Sequence, residues 1–250
     1  MNLLFYTYIF LIGLILGSFY NVVGLRIPAG RSIIKPRSAC GECGTTLTAA
    51  DLIPVVSYLR QHGKCRHCGT RVSPLYPATE LLTAALFAAA PLFVGWTGEL
   101  FVALPLISLV IIVFVSDFTY MIIPNKVLLF FGGLFILLRM FFPLEPWYAP
   151  FTGGAAGFAL LYAVAVLSKG GMGGGDVKLF GVLGLVLGVK GVMLAFFFST
   201  FYGALFGILG LLAGKLERKK PIPFGPFIGL GTLTAYFFGE RLLTWYFNFY

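Results

Sequence analysis

Leu100 to Asp117 read LFVALPLISLVIIVFVSD, an apolar segment that ends in a carboxylic acid. A helix of about 20 apolar residues crosses the hydrocarbon core of a bilayer. Segments of about this length recur along the chain, and we predict eight spans, at residues 3–20, 79–95, 100–116, 121–141, 151–168, 177–190, 192–213 and 224–246. The sequence therefore predicts an all-α polytopic membrane protein with about eight transmembrane helices.

The composition agrees with this fold class. Of the 250 residues, 59% are hydrophobic and only 11% are charged, whereas soluble domains average about 25% charged residues. The alternation of apolar and polar residues that is typical of outer-membrane barrel strands is absent. The first span has no basic residue before Arg26 and no small-residue cleavage pattern after it. We therefore expect a retained span and not a signal peptide.

The basic residues predict the orientation of the chain. A net charge of +9 is compatible with nucleic-acid binding, but the Lys and Arg residues lie mainly between spans, where lipid headgroups and topology explain them. With eight spans, all but Arg139, Lys190 and Arg241 of the 18 basic residues fall on one side. The positive-inside rule makes that side cytoplasmic, so we expect the N-terminus outside and no nucleic-acid partner.

A polar stretch, residues 26–77, interrupts the apolar sequence after the first span. We call it the island, and we expect three parts: a first transmembrane helix at 1–25, the cytoplasmic island at 26–77, and a transmembrane core at 78–250. The island holds two C-x-x-C pairs 21 residues apart, Cys40 with Cys43 and Cys65 with Cys68. This spacing predicts a tetrahedral four-cysteine zinc ribbon, with structural metal because four thiolates leave no open position. Gly44 and Gly69 are expected to free backbone N–H groups to face the sulfurs. Two disulfides are the alternative, which a cytoplasmic location disfavours.

Two of the three aspartates lie at the ends of apolar segments. Asp117 closes the third span, and Asp176 follows a glycine run, Gly170–Gly175 interrupted by Met172, and opens the sixth. Ionisable groups beside spans are expensive and indicate function. A carboxylate pair can share one proton, so that one group activates water and the other protonates a peptide. Glycines beside Asp176 would let a substrate backbone approach closely. An N-cap for Asp176 and a headgroup position for Asp117 are the alternative reading.

These residues resemble the type IV prepilin peptidase family of membrane aspartic proteases. Gly173-Gly174-Gly175-Asp176 is similar to its G-x-G-D motif, and Asp117 through Pro124 to its first aspartate motif. The resemblance extends over nearly the whole chain, through Gly17 to Asn21 with Arg26 and Pro28, the residues before Cys40, Tyr76-Pro77 with Glu80, and Ile222 to Phe227. Departures are small: Asn125 stands where an Asp is commoner, and Gly41 where a Pro often follows the first cysteine.

The resemblance implies an enzyme of a bacterial inner membrane. It would cut the short basic leader of prepilins or pseudopilins after a glycine, with Asp117 and Asp176 as the catalytic pair and Gly173, Gly174, Gly175 and Lys178 in the active-site loop. It would then N-methylate the new N-terminus from S-adenosylmethionine, with a cofactor site that the sequence does not locate. Two alternatives stay open: a peptidase without methyl transfer, and a transporter that uses the aspartates as an ion relay.

Overall fold

A computed structural model describes residues 2–168, 171–214 and 222–248. Within these residues the regular structure is helical, apart from two isolated β-bridges. The elements are α1 (Asn2–Arg26), a short 3-10 helix (Ala49–Leu52), α2 (Val56–Arg60), α3 (Leu75–Val94), α4 (Leu100–Tyr120), α5 (Asn125–Phe141), α6 (Ala149–Leu167), α7 (Gly174–Leu212) and α8 (Gly225–Phe247). The predicted all-α fold, with a small cysteine-bearing insertion after the first helix, is confirmed. Gly170 and the basic residues Lys169, Lys215, Arg218, Lys219 and Lys220, which the sequence analysis used, lie outside the described residues.

Within the described residues, five helices are long and apolar enough to cross a membrane: α1, α3, α4, α6 and α7. The first of these begins at Leu3, and α4 has a mean hydropathy of 2.6 over its best window. Helix α5, with 17 residues, and α8, which contains Glu240 and Arg241, are not in this set. The chain is thus a multi-pass membrane protein.

Helix α7 is two antiparallel helices joined at Gly188. That residue has φ 65° and ψ −177°, a combination that is essentially restricted to glycine. The rings of Phe180 and Phe196 lie 6.2 Å apart, although sixteen residues of straight helix would separate them by about 24 Å. The direction of the chain therefore reverses at Gly188. The predicted spans at 177–190 and 192–213 correspond to these two halves.

Glycines allow α6 to lie directly on the first half of α7. A Cβ atom on Gly153 would collide with the backbone of Gly184, and one on Gly157 with the carbonyl oxygen of Phe180. Helix association in lipid relies on such small-residue contacts, because lipid provides no hydrophobic driving force between helices. The glycines of both helices therefore fix the contact between α6 and α7.

The chain forms two compact units, residues 1–95 and 96–250. In the first unit, α1 packs on α3 at small residues, and a Cβ on Gly13 would lie 2.6 Å from the Cα of Ala84. The second unit contains α4 to α8 around a core that includes the large side chains of Phe135 and Phe180, both fully buried. The predicted boundary between residues 77 and 78 stays a prediction.

We expect Gly188→Ala to destabilise the second unit by about 1–3 kcal/mol, because alanine does not tolerate this backbone conformation. Thermal unfolding of the purified protein in a mild detergent measures the effect. Gly207→Ala is the matched control in the same helix: no atom lies within 4 Å of its added Cβ. Equal melting temperatures for the two variants would contradict the assigned turn.

Candidate functional site

Asp117 lies in the last turn of α4, where the chain folds back sharply. Met121 ends the helix in the left-handed conformation (φ 54°, ψ 38°), and its N–H donates to the Asp117 carbonyl oxygen at 2.8 Å. The Ser116 hydroxyl donates to the carbonyl oxygen of Ile122. This turn delivers Ile123 into the packed interior, where it is 8% exposed. The Ile-Pro pair after Asp117 therefore closes a compact helix end.

The side chain of Asp117 is buried and has one backbone donor. The N–H of Gly225, the first residue of α8, donates to Asp117 Oδ2 at 2.7 Å. A Cβ on Gly225 would lie 2.8 Å from the same oxygen and 3.0 Å from Cγ. Only glycine lets the start of α8 approach the carboxyl group this closely.

Asp176 is half-buried in the first turn of α7. Gly173 precedes the helix as its N-cap, and its N–H donates to the Asp176 carboxylate. Asp176 is therefore at the third helical position, and the N-cap position considered from the sequence is occupied by Gly173. The carboxylate reaches back to the cap, as the acid of a capping box does.

The structure brings the two acids to the same end of the second unit. A Cβ on Gly175 would lie 3.0 Å from Ile123 Cβ, so the start of α7 touches the turn that follows Asp117. The two acids therefore border the same turn, Asp117 at the end of the helix that precedes it and Asp176 at the start of the helix that touches it. Gly173 and Gly174 are exposed beside Asp176, and nothing lies within 4 Å of a Cβ on Gly174. An open backbone edge thus borders the acid pair.

Lys178 lies on the exposed side of this end. Its Nζ donates to Asn125 Oδ1 at 3.0 Å, which links the start of α7 to the start of α5. A residue that sequence reasoning missed is Gly225. The sequence analysis placed it only within the stretch Ile222 to Phe227 that resembles the family, and the signal for a closer role was a glycine between Phe224 and Pro226 at the first turn of a helix.

Sequence reasoning also missed a cluster of polar side chains at the other end of the second unit. Arg139, 5% exposed, donates through both terminal nitrogens to Glu99 at 2.8 and 2.9 Å. It also donates to the carbonyl oxygen of Val186 at 2.7 Å, and the Tyr236 hydroxyl donates to Glu99 Oε1 at 2.6 Å. The ion pair joins residues of α4's N-cap, α5, α7 and α8, at the end of these helices opposite Asp117. Ionisable residues flanking apolar segments were the sequence signal.

The four cysteines of the island form one cluster, in which all four sulfur atoms lie within 4.8 Å of one another. Cys40 Sγ and Cys68 Sγ are 3.8 Å apart, close to the spacing of about 3.8 Å that a tetrahedral site with Zn–S bonds of about 2.3 Å requires. The cysteines are free thiols and not the two disulfides of the alternative reading. This donor set can bind a metal ion.

The two cysteine loops repeat the same geometry. The N–H of Cys40 donates to the Thr45 carbonyl oxygen at 3.0 Å, and the N–H of Cys65 to the Thr70 carbonyl oxygen at 2.7 Å. Gly44 and Gly69 both have positive φ, near 70°. Their N–H groups donate to the carbonyl oxygens of the first cysteine of each pair. The turns at Gly44 and Gly69 also bring backbone N–H groups to the sulfurs, as predicted: the N–H of Thr45 faces Cys43, and the N–H of Thr70 faces Cys68.

Threonines supply the hydrogen bonds to the sulfurs. The Thr70 hydroxyl and N–H lower the pKa of the Cys68 thiol to about 6. The Thr45 hydroxyl and N–H likewise lower the pKa of Cys43. A lowered thiol pKa favours the thiolate, which is the form that binds metal. His62 and His67 are exposed and do not belong to the cluster.

Together these features define a class: a helical membrane protein with an acid pair at one end of its larger unit and, in its smaller unit, a pair of cysteine loops whose four sulfurs could hold a metal ion. Residues 11–94 match the family model described as the bacterial peptidase A24 N-terminal domain. Residues 104–208 match the model of the type IV leader peptidase family. The chain belongs to the type IV leader peptidase family.

Curated relatives align with most of the chain. A prepilin leader peptidase/N-methyltransferase of Bacillus subtilis is 51% identical over 95% of this chain and 96% of its own. Proteins of the same name are 33% identical in Aeromonas salmonicida (97% and 94% covered) and 36% identical in Myxococcus xanthus (84% and 64% covered). No solved structure matches the chain.

We expect the purified protein to contain one metal ion per chain and Cys40→Ser to lose it, because three thiolates leave the tetrahedral shell incomplete. Elemental analysis of the purified protein measures the metal-to-protein ratio. His67→Ala, in the same loop pair, should keep the wild-type ratio. An unchanged ratio in Cys40→Ser would show that Cys40 is not a required ligand.

Proposed function

We propose that this enzyme cleaves the leader peptide of type IV prepilins or pseudopilins after a glycine, and then N-methylates the new N-terminal residue. Family membership and the activity named for relatives that align over nearly the whole chain support this function. The observation that supports the proposed chemistry is that Asp117 and Asp176 lie at the same end of the second unit.

The proposed cleavage is acid–base catalysis by the aspartate pair. One carboxylate removes a proton from water, which attacks the carbonyl carbon of the scissile peptide. The other carboxylic acid protonates the departing nitrogen, so that the C–N bond breaks and one water is consumed. Two neighbouring carboxyl groups suit this exchange because they share a single proton more readily than they both ionise.

The exposed glycines next to Asp176 suit a peptide substrate. A peptide that lies along Gly173 and Gly174 meets no side chain there, and its backbone can approach the acids closely. The proposed substrates are themselves membrane helices with polar leaders. They would reach this end of the helices by diffusion within the bilayer, and Lys178 would border the same edge.

We place the enzyme in the bacterial inner membrane, with its N-terminus outside and the acid pair at the cytoplasmic face. The distribution of Lys and Arg supports this orientation. The acids also lie at helix ends, whereas an ion relay of a transporter favours acids near the bilayer midplane, in broken helices. Together with the family, this favours a peptidase over a transporter.

We propose zinc as the metal of the cysteine cluster, where Cys40, Cys43, Cys65 and Cys68 would hold it. A four-thiolate shell leaves no position for water, so the ion would stabilise the island, which has few buried apolar side chains. The methyl donor would be S-adenosylmethionine, which supplies a methyl group on a sulfonium.

A cleft on the island does not fit that whole cofactor. Its volume is about 230 Å³, below the range of about 300–1,000 Å³ typical of such sites. The acid that could bind the cofactor's ammonium, Asp51, already accepts hydrogen bonds from Thr48, Gln61 and Arg66. We therefore derive no step of methyl transfer from this cleft, which is lined by Ala50, Asp51, Arg60, Gln61, Lys64, Cys65 and Arg66.

We expect Asp117→Asn and Asp176→Asn each to reduce cleavage by about 10²–10⁴-fold, because an amide neither accepts nor donates the transferred proton. A gel-shift assay with a prepilin in proteoliposomes measures the rate. Both variants should still methylate a pilin that has already been cut. Glu240→Gln, an exposed acid of α8, is the control and should cleave normally. Normal cleavage by either aspartate variant would exclude the paired-acid mechanism.

Gly225→Ala should also impair cleavage, by about tenfold or more, because the added methyl group would displace the Asp117 carboxyl group from its backbone donor. Gly133→Ala is the matched control, since nothing lies within 4 Å of its Cβ. The same gel-shift assay compares the two. If Gly225→Ala cleaves as fast as Gly133→Ala, the contact between α8 and Asp117 is not needed for the reaction.

A further inference from the structure

The first unit exposes large apolar side chains in two loops of the island. Ile34 is 77% exposed in the loop after α1, and Val56 and Leu59 are 56% and 65% exposed in α2. Ile33 and Ile53 are exposed next to them in sequence. Exposed apolar residues of this size, in a unit rich in charge, indicate a surface that is covered by a partner.

The loop that precedes Val56 is hydrogen-bonded to helix α3, at a residue inside the N-terminal end of that helix. The N–H of Val55 donates to Glu80 Oε2 at 2.7 Å. Glu80 is 7% exposed and lies five residues inside the candidate span Leu75–Val94, a depth of about 7–8 Å at 1.5 Å per residue. Since its backbone must reach this acceptor, the loop around Val55 lies beside the first turns of α3, where the apolar segment begins.

The backbone of this loop is strained at Val55, the residue that contacts Glu80. Val55 has φ 61° and ψ −49°, and the Val56 N–H donates to the Pro54 carbonyl oxygen at 2.6 Å, which defines a γ-turn. A β-branched residue rarely adopts positive φ. Such strain persists only where surrounding contacts over-determine it, and here Glu80 provides the contact.

The other loop is tied to the end of the other membrane helix. Arg26, the last residue of α1, donates to the carbonyl oxygens of Ser32 at 3.1 Å and Pro36 at 2.8 Å. Ile33 and Ile34 lie between these two acceptors. Both exposed apolar segments are therefore anchored at the ends of helices that cross the bilayer.

The charge of the island identifies the partner. Residues 26–77 contain eight Lys and Arg residues and only two acids, Glu42 and Asp51. Arg31 and Lys35 are exposed beside Ile34, and Arg60 follows Leu59. Apolar side chains at the membrane boundary, flanked by basic residues, suit a bilayer surface that contains anionic headgroups.

We propose that these two segments, residues 31–35 and 53–60, form an interfacial anchor: their apolar side chains enter the headgroup–acyl boundary, and their basic residues bind anionic headgroups. The anchor fixes the cysteine-bearing island on the membrane surface. It depends on the spans α1 and α3 and not on the aspartate chemistry, so it can fail while the proposed peptidase activity stands.

Photo-crosslinking tests the anchor. Benzoylphenylalanine is introduced singly at residues 34, 59 or 42 of the full-length protein in nanodiscs of phosphatidylglycerol and phosphatidylethanolamine. Glu42 is the control, because it is an exposed residue between the cysteines of the metal cluster. We expect about tenfold more lipid adduct by mass spectrometry at residues 34 and 59 than at residue 42. Equal adduct at all three positions, or a protein adduct in place of lipid, would overturn the proposal.

Two further comparisons separate the anchor from general exposure. Glu80→Ala should lower the lipid adduct at residue 59 but not at residue 34. Glu80→Gln keeps an acceptor for the Val55 N–H, so its adduct at residue 59 should equal that of the wild type. Replacement of phosphatidylglycerol by phosphatidylcholine should lower the adduct at both positions. An unchanged lipid adduct at residue 59 in Glu80→Ala would show that the contact with α3 does not hold the loop. An unchanged adduct after the exchange of lipid would show that the basic residues do not bind anionic headgroups.

Discussion

The reversal of α7 at Gly188 is the constraint on which the second unit depends. The first half, residues 174–187, is roughly 21 Å long, whereas the hydrocarbon core is about 30 Å thick. If the reversal lies near one face, Asp176 at the other end of this half-helix stops short of the opposite face. A short, glycine-ended helix thus explains how an acid can be placed at the margin of the apolar layer and still have exposed backbone beside it.

The ion pair of Arg139 with Glu99 fixes the other end of the same helices. Its bond to the Val186 carbonyl oxygen lies two residues before the reversal, and the Tyr236 hydroxyl connects α8 to the same acid. A buried pair of this kind adds little net stability, but its directional bonds specify one register. With α4, α5, α7 and α8 in fixed register at this end, the opposite ends are fixed too. At those ends, Asp117 accepts a hydrogen bond from the backbone of Gly225, and Asp176 accepts one from the backbone of Gly173. Neither acid has a basic side chain among its described partners. An arginine partner would hold an acid permanently ionised, and an ionised acid cannot act as a general acid.

The sequence allowed prediction of those features that depend on residue type. Acids are rare in apolar sequence, so Asp117 and Asp176 stood out, and the cysteine spacing predicted a cluster that the structure confirms. Gly188 was assigned to the end of a short span, close to where the chain reverses. The contacts of Gly225 with Asp117, of Val55 with Glu80, and of Arg139 with Glu99 could not be predicted, because each joins residues more than 20 positions apart through helix packing. The role of Gly44 and Gly69 was predicted from their positions directly after each cysteine pair, whereas the contacts of the Thr45 and Thr70 hydroxyl groups with the sulfurs were not predicted.

The charge of the island bears on how a substrate would be recognised. The leader of the proposed substrates is basic, and the island carries eight basic residues against two acids, so the two repel each other at close range. An island that acted as a docking platform for the leader would have to overcome this repulsion. An anionic leaflet attracts both, and it does so over about a Debye length, close to 8 Å at physiological ionic strength. The bilayer surface would therefore concentrate the leader of a proposed substrate near the membrane, while the exposed glycines beside Asp176 would offer it an uncharged backbone edge.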